Sequence, residues 1–178
     1  MGRAGKVRVA AKEAIPQEDI ENCVSRFAAA LKESGLRLTH QRLEVAREIA
    51  CNSTHPDVEA VYLGVRRRVP TISLDTVYRT LGDLERLGLI RRVETLGGPV
   101  RYDPILEPHH HFICARCGLI QDVHGSSYDH LPAPDTAADL GDIESITVQL
   151  HGLCKSCREA GSRRSQTPEA EGKENPNE

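Results

Sequence analysis

The chain has 178 residues, a formal charge of −3 and few aromatic side chains, with two Phe, four Tyr and no Trp. This length allows one domain or two small ones, each with a modest aliphatic core. There is no apolar run near the roughly 18 residues of a membrane helix and no signal-peptide core. We therefore expect a soluble, cytoplasmic protein.

The charge is divided unevenly along the chain. Residues 1–102 carry 17 Lys and Arg against 13 Asp and Glu, whereas residues 103–178 carry 6 against 13. The second part also holds most of the His and Cys residues. A basic half joined to an acidic, metal-ligating half suggests a nucleic-acid surface coupled to a cation site.

The sequence of the first half predicts a basic arm followed by four helices. Residues 1–19 form that arm, which is either a frayed tail or a segment that touches DNA phosphate. Apolar positions at helical spacing from Ile20 predict a helix that ends at Gly35. Three residues of the types that cap helix N termini should begin the other helices: Thr39, Asp57 and Ser73.

The fourth helix is followed by LIRRVETLGGPVRYD, which predicts two short strands around a Gly-Gly-Pro turn. Helices followed by a hairpin describe a winged helix-turn-helix domain over residues 20–101, whose fourth helix would enter the DNA major groove. Arg37, Gln41 and Arg42 lie together at the start of the second helix, where solvated side chains and phosphate contacts explain them equally well. The candidate DNA contacts are Arg37, Gln41, Arg42, Ser73, Thr76, Tyr78 and Arg79.

Two Cys-x-x-Cys pairs stand 36 residues apart, Cys114 with Cys117 and Cys154 with Cys157. Zn²⁺ binds four thiolates in a tetrahedron, and two such pairs supply them. Two disulfides or a redox pair are the alternatives, but disulfides need an oxidising compartment and a redox pair normally accompanies a βαβ unit. Four thiolates leave no open coordination position, so this zinc would be structural.

The sequence around these cysteines predicts a small α/β domain over residues 102–158. Its strands should cover 109–114, 119–123 and 145–151, with a single turn over 136–140 in a proline-interrupted segment. Residues 159–178 lose apolar content and are expected to form a disordered tail.

Histidines and carboxylates suggest a second metal site. His109 and His111 share one face of a strand, and Asp103 and Asp122 lie nearby in the chain. Together with His55 they would offer imidazole and carboxylate donors, which suit Fe²⁺, Mn²⁺ or Co²⁺. Spacing alone leaves a solvated histidine patch as the alternative, and it does not by itself bring in His55.

Several motifs together resemble the ferric uptake regulator superfamily of bacterial repressors, over about residues 20–157. They are GLRLTHQR, the His-Pro at 55–56, SLDTVYRTLGDLERLGLI, RYD, HHHFIC and the two cysteine pairs. The resemblance implies an α+β fold, with an N-terminal winged helix and a C-terminal α/β dimerisation domain. It implies a homodimer on a pseudo-palindromic double-stranded DNA operator, with no small organic substrate and no enzyme activity.

The resemblance also implies which residues bind metal. Structural Zn²⁺ would be held by Cys114, Cys117, Cys154 and Cys157. A regulatory Fe²⁺ or Mn²⁺ would be held by His55, Asp103, His109, His111 and Asp122. Pro108 stands where iron-sensing relatives often have a further histidine, so no accessory site is expected.

Asp at positions 103 and 122 resembles the peroxide-responsive repressors, since iron-sensing members usually have Glu at both. In those repressors, bound Fe²⁺ reacts with peroxide and oxygen is added to a histidine ligand; the matching residues here are His55 and His109. The resemblance therefore implies a repressor that leaves its operator when oxidised. The alternatives are an iron sensor of the same family, a non-haem iron enzyme and a zinc-stapled interaction module.

Overall fold

A computed structural model describes residues 8–9, 15–95, 97–125, 128, 131–137, 141–143 and 146–164. Within these residues, none of the helices has the length and apolar character needed to cross a membrane. A two-residue strand, β1 (Arg8–Val9), precedes four helices. These are α1 (Gln17–Glu33), α2 (His40–Ala50), α3 (Val58–Arg66) and α4 (Leu74–Arg86).

The three predicted capping residues begin α2, α3 and α4. The side chain of Thr39 accepts a hydrogen bond from the backbone N–H of Arg42 at 3.3 Å. Asp57 and Ser73 accept equivalent bonds at 2.8 and 3.1 Å. Each cap satisfies a backbone donor that the first helical turn leaves without a partner, which is why the helices begin at these positions.

The helices pack around one aliphatic core, and a hairpin follows them. The strands β2 (Arg91–Val93) and β3 (Arg101–Asp103) pair antiparallel, as predicted. Four helices followed by this hairpin form the expected winged helix-turn-helix. Its core consists of buried side chains from the helices, including Phe27, Leu31, Ile49, Val61, Val65, Val77, Leu81 and Leu84.

The second half contains a small sheet in the strand order β1-β5-β4-β6. β4 (His110–Cys114) pairs antiparallel with β5 (Ile120–His124) and parallel with β6 (Gln149–Gly152). A 3₁₀ turn covers Asp135–Ala137, close to the predicted turn, whose residues 138–140 lie outside the described residues. The last strand begins at Gln149 rather than at 145, a residue that is not described.

At both ends of the chain, regular structure extends into segments that were expected to be unstructured. α5 (Lys155–Arg164) continues six residues into the segment 159–178 that we expected to be disordered. Its first turn is anchored at the second cysteine pair by a hydrogen bond from the N–H of Arg158 to the carbonyl of Cys154, and the good helix formers Arg158, Glu159 and Ala160 favour its continuation. At the other end, α1 begins at Gln17 inside the expected arm, and β1 pairs with β5. Residues 1–7, 10–14 and 165–178 lie outside the described part.

The two halves meet at β3. Tyr102 belongs to the helical core, and its N–H donates to the carbonyl of Pro56 at 3.0 Å. The next residue, Asp103, is also buried. The buried Val93 of β2 packs with Ile113 and Ile120 of the second sheet. The boundary that we predict between residues 101 and 102 therefore falls within a strand that serves both halves.

Candidate metal sites

The cysteine cluster consists of Cys114, Cys117, Cys154 and Cys157, whose sulfur atoms all lie within 4.8 Å of one another. The Sγ atoms of Cys117 and Cys154 are 3.8 Å apart. Zinc–sulfur bonds of about 2.3 Å in a tetrahedron place the sulfur atoms about 3.8 Å from each other. The donor set and its spacing therefore fit a closed, four-coordinate Zn²⁺.

Local folding brings the two cysteine pairs together. The first pair lies on the turn between β4 and β5, which closes at Gly118 with φ +68°. The second pair lies between β6 and the first turn of α5. Because β6 pairs with β4, the register delivers Cys154 beside Cys114, and the N–H of Cys154 donates to Sγ of Cys114 at 3.3 Å.

Two thiols of this cluster have pKa values that are shifted in opposite directions. Backbone N–H groups, first that of Cys154 and then that of Cys117, lower the pKa of Cys114 to about 6. Burial, followed by the neighbouring sulfur atoms, raises the pKa of Cys157 to about 12. The Cys114 thiolate therefore forms readily, whereas deprotonation of Cys157 requires a compensating cation. A divalent metal ion supplies that charge.

The His/Asp cluster consists of His55, Asp103, His109, His111 and Asp122. One donor atom from each of the first four lies within 4.8 Å of the others. Asp122 does not belong to that mutual set, yet its Oδ1 lies 3.0 Å from Nε2 of His55 and 3.7 Å from Nε2 of both His109 and His111. All five residues are buried. Folding thus assembles the five residues that the resemblance implied.

His55 reaches this cluster from the DNA-binding half through an unusual backbone conformation. It lies on the loop between α2 and α3 and has φ +52°, the one positive φ among the described non-glycine residues. A left-handed conformation at such a residue costs about 1–3 kcal/mol and persists where the surroundings impose it. Its side chain is only 2% exposed, so the turn directs the imidazole into the joint between the two halves.

Backbone groups fix the orientation of two donors. A carbonyl can only accept, so Nδ1–H of His109 donates to the carbonyl of Glu107 at 2.9 Å and leaves Nε2 for the cluster. Oδ1 of Asp103 accepts from the N–H of Ile105 at 2.9 Å, while its Oδ2 lies 2.9 Å from Nε2 of His109. Hydrogen bonds of this kind orient metal ligands and increase their basicity.

Charge within the cluster shifts two pKa values in opposite directions. Burial by itself would raise the pKa of Asp103, but the adjacent His109 and His111 hold it well below its usual range. Burial would likewise lower the pKa of His109, but the Asp103 carboxylate raises it to about 9. Without a metal, a proton on His109 therefore balances part of the negative charge.

Buried atoms without hydrogen-bond partners test whether a metal ion fits here. Such atoms include both ring nitrogens of His55, Oδ2 of Asp103, Nδ1 of His111 and Oδ1 of Asp122. Several approach each other within 4 Å but are not oriented as donor and acceptor. Buried polar groups normally find partners, so converging lone pairs of this kind fit a cation. Three imidazoles and two carboxylates suit Fe²⁺ or Mn²⁺.

Comparison with known proteins decides the family. The ferric uptake regulator family model matches residues 33–151, which is more than half of the chain. The chain belongs to the ferric uptake regulator family.

Individual relatives are similar to this chain in sequence and in fold. The peroxide-responsive repressor PerR of Staphylococcus epidermidis is 27% identical over 145 residues, covering 82% of this chain and 97% of the relative. The Helicobacter pylori ferric uptake regulator superposes with a TM-score of 0.62 at 25% identity, covering 82% of this chain and 97% of that one. The Campylobacter jejuni peroxide stress regulator gives 0.56 at 28% identity, with coverages of 72% and 97%. Iron and peroxide regulators are thus similar to it to a comparable degree.

Two further histidines of this family member lie near the clusters. His110 points away from the His/Asp cluster, and its Nδ1 accepts from the N–H of Val148 at 3.1 Å, which gives it a structural role. The ring of His124 lies 5.9 Å from that of His109. The resemblance does not implicate His124 as a ligand, although it follows Asp122 by two residues on one strand, so that both side chains lie on the same face.

Some of the predicted DNA contacts are exposed, whereas others are partly buried and bonded within the fold. Tyr78 is 56% exposed, and the side chain of Arg79 is 76% exposed and paired with Asp75 at 2.9 Å. Arg42, in contrast, is half-buried and bonds Asp83 of α4 at 2.9 Å, so it also holds α2 against α4. Among the others, Ser73 and Thr76 bond each other at the start of α4, Arg37 is exposed, and Gln41 is half-buried.

Proposed function

We propose that this protein is a dimeric, metal-dependent transcriptional repressor that senses peroxide. One observation carries the proposal, the convergence of His55 from the DNA-binding half with donors of the second half on one buried cluster. A cation bound there would contact both halves at once. Binding of the cation would therefore favour one arrangement of the two halves over the others.

Linkage connects this site to DNA binding. His55 lies two residues before the cap of α3, and Pro56 is bonded to β3. A cation that prefers the closed arrangement shifts the conformational equilibrium by its differential affinity. In a homodimer, the closed arrangement would hold both α4 helices about 34 Å apart, one turn of DNA. Arg37, Gln41, Arg42, Ser73, Thr76, Tyr78 and Arg79 are the proposed DNA contacts.

The cysteine cluster would serve stability. Zn²⁺ there would join the β4–β5 turn to the start of α5, two segments distant in sequence. A structural zinc site can contribute roughly 10–16 kcal/mol of apparent folding free energy. Among the described residues, the buried apolar cluster that joins β2 to the second sheet consists of Val93, Ile113 and Ile120, so this contribution would be large for the small sheet.

The His/Asp cluster would be the peroxide-sensing site. Fe²⁺ held by these five residues would supply the redox chemistry that cleaves the O–O bond, with peroxide as the net two-electron oxidant of the imidazole. In the balanced reaction, one peroxide oxygen adds to an imidazole ring carbon, the hydrogen of that carbon moves to nitrogen, and the other oxygen leaves as water. His55 and His109 are the proposed targets. An oxidised ring would donate poorly, and the link between the two halves would weaken.

The same cluster disfavours the enzyme alternative. The crevice beside it has a volume of about 60 Å³, whereas sites for organic substrates typically measure about 300–1,000 Å³. An iron sensor without peroxide chemistry is the closer alternative. The pair of aspartates at 103 and 122 supports peroxide sensing, because it resembles the peroxide-responsive members.

Anaerobic operator binding by the Fe²⁺-loaded protein tests the proposal, measured before and after a low dose of peroxide together with the intact mass. We expect loss of binding and a gain of one oxygen on peptides that contain His55 or His109. Retained binding with no added oxygen, reversed only by a chelator, would establish an iron sensor instead. Absence of any metal-dependent DNA binding would reject the repressor.

A further inference from the structure

A narrow crevice leads from the protein surface to the His/Asp cluster. Its lining includes Asp103, His109 and His111, each of which is at most 5% exposed. It also includes Arg91 of β2 and Gln149 of β6, both of which are exposed. The crevice therefore connects buried metal donors with solvent, at the joint between the two halves.

The size of the crevice limits what can enter it. Its volume is about 60 Å³. A cavity that accepts a benzene-sized molecule measures about 150 Å³, whereas one water needs about 10–15 Å³ on a comparable measure. The crevice thus admits a few water-sized molecules. Hydrogen peroxide falls within that size, and a branched alkyl hydroperoxide exceeds it.

The exposed part of the crevice, its mouth, is polar, and the side chain of Gln149 reaches across it. Nε2 of Gln149 donates to the backbone carbonyl of Glu94 at 3.4 Å, which joins β6 to the segment after β2. Thr147, also exposed, adds a hydroxyl to the lining. Arg92 of the lining is held by Glu85 of α4 at 2.6 Å. These groups can exchange hydrogen bonds with a peroxide.

The inner wall is held in place by packing. Val93 lines the crevice and is 3% exposed, because it packs with Ile113 and Ile120 of the second sheet. A buried wall of this kind cannot open without disturbing the sheet. The side chain of Gln149, at the exposed mouth, is therefore the element best placed to set the width of the opening.

We propose that this crevice admits hydrogen peroxide to the His/Asp cluster and excludes larger organic hydroperoxides, with Gln149 setting the size limit. This inference rests on the proposed peroxide-sensing function and adds to it the residue that limits the size of the oxidant. Gln149 is a specificity-determining residue in this scheme and does not act as a metal ligand.

Two substitutions at one exposed position test the inference in opposite directions. Gln149→Ala removes the side chain that spans the mouth, and Gln149→Phe fills the mouth. Gln17→Ala, on the exposed first turn of α1, is the matched control. Rates of oxygen addition to the Fe²⁺-loaded proteins are measured with hydrogen peroxide and with tert-butyl hydroperoxide. Intrinsic reactivity is the same for every variant, so the ratio of the two rates reports access.

We expect Gln149→Ala to raise the relative rate with tert-butyl hydroperoxide by roughly tenfold, the scale on which a shaped pocket discriminates by size. Gln149→Phe should slow oxidation by both peroxides, and Gln17→Ala should behave like the unchanged protein. A rate ratio that is identical in all four proteins would overturn the role of Gln149.

A second measurement reports how easily water reaches the bound metal ion, without any oxidation. In the Mn²⁺-loaded proteins, the relaxation of bulk water protons increases when water reaches the ion, so Gln149→Phe should reduce that relaxation. Unchanged relaxation in both Gln149 variants would show that the crevice is not the route. If hydrogen peroxide oxidised no histidine in the unchanged protein, peroxide sensing itself would be wrong, whatever the relaxation showed.

Discussion

Nε2 of His55 lies 3.0 Å from Oδ1 of Asp122, which joins the loop before α3 to strand β5 of the small sheet. The two residues are far apart in sequence and belong to the two different halves. Both side chains are buried, at 2% and 10% exposure. A cation that bridges them would therefore couple the position of the DNA-binding helices to the sheet.

Removing Asp122 tests that coupling. Asp122→Ala should lower Mn²⁺ affinity by at least about 100-fold, because it deletes a donor rather than an outer-shell partner. Metal-stimulated operator binding should disappear, while zinc content is retained. Titration calorimetry and a gel shift measure the two effects. Asp142→Ala, at an exposed position, is the matched control. Equal DNA affinity of the two variants would show that Asp122 is not a ligand of the regulatory metal.

Removing a cysteine of the other cluster should affect the fold instead. Cys154→Ser deletes one of four zinc donors, so bound zinc should be lost and the second half should unfold, since the metal contributes folding free energy. Zinc analysis and circular dichroism during thermal unfolding provide the measurement. Cys51→Ser changes an exposed cysteine outside the cluster and should leave both values unchanged. Full zinc content in Cys154→Ser would contradict the assignment.

Metal binding and stability should depend on pH in opposite senses. The pKa of His109 is raised from 6.5 to about 9 in the absence of metal, mainly by the carboxylate of Asp103 against the effect of burial. Protonated His109 stabilises the metal-free fold fully below pH 6.5, and this contribution is lost as the pH rises to about 9. A metal must displace that proton, so Mn²⁺ affinity should rise by up to about tenfold per pH unit over the same range.

Urea unfolding of the protein that retains zinc but has no metal in the His/Asp cluster measures how stability depends on pH. Calorimetry in buffers of different ionisation enthalpy counts the protons released by Mn²⁺. His109→Asn should remove most of the pH dependence of stability. An Mn²⁺ affinity that does not change with pH would show that no proton is displaced.

Two arginines near the proposed DNA surface should behave differently. Arg79→Ala, at an exposed position, should weaken operator binding and reduce the slope of log affinity against log salt by about 1 if it contacts phosphate. Arg42→Ala should also destabilise the fold by about 1 kcal/mol, because it breaks the half-buried pair with Asp83. Arg26→Ala is an exposed control on α1. An unchanged salt slope in Arg79→Ala would exclude the phosphate contact.

The sequence by itself determined the features that depend on local chemistry. Thr39, Asp57 and Ser73 mark helix starts because a side-chain oxygen three residues ahead of a backbone N–H can bond it in one geometry only. Glycines and alternating apolar residues likewise placed the hairpin and the main strands. The two cysteine pairs indicated zinc because thiolate chemistry and spacing together leave few other uses.

Only the tertiary structure decided which distant residues meet. His55 carries no local signal for its position, and its φ of +52° is imposed by the surrounding fold. Spacing could not show that Arg42 bonds Asp83, that α5 continues to Arg164, or that Gln149 spans a crevice beside Asp103. These features depend on how helices and strands pack against one another and on where a helix is anchored. The free energy of that packing belongs to the whole chain, so no short segment of sequence reveals it.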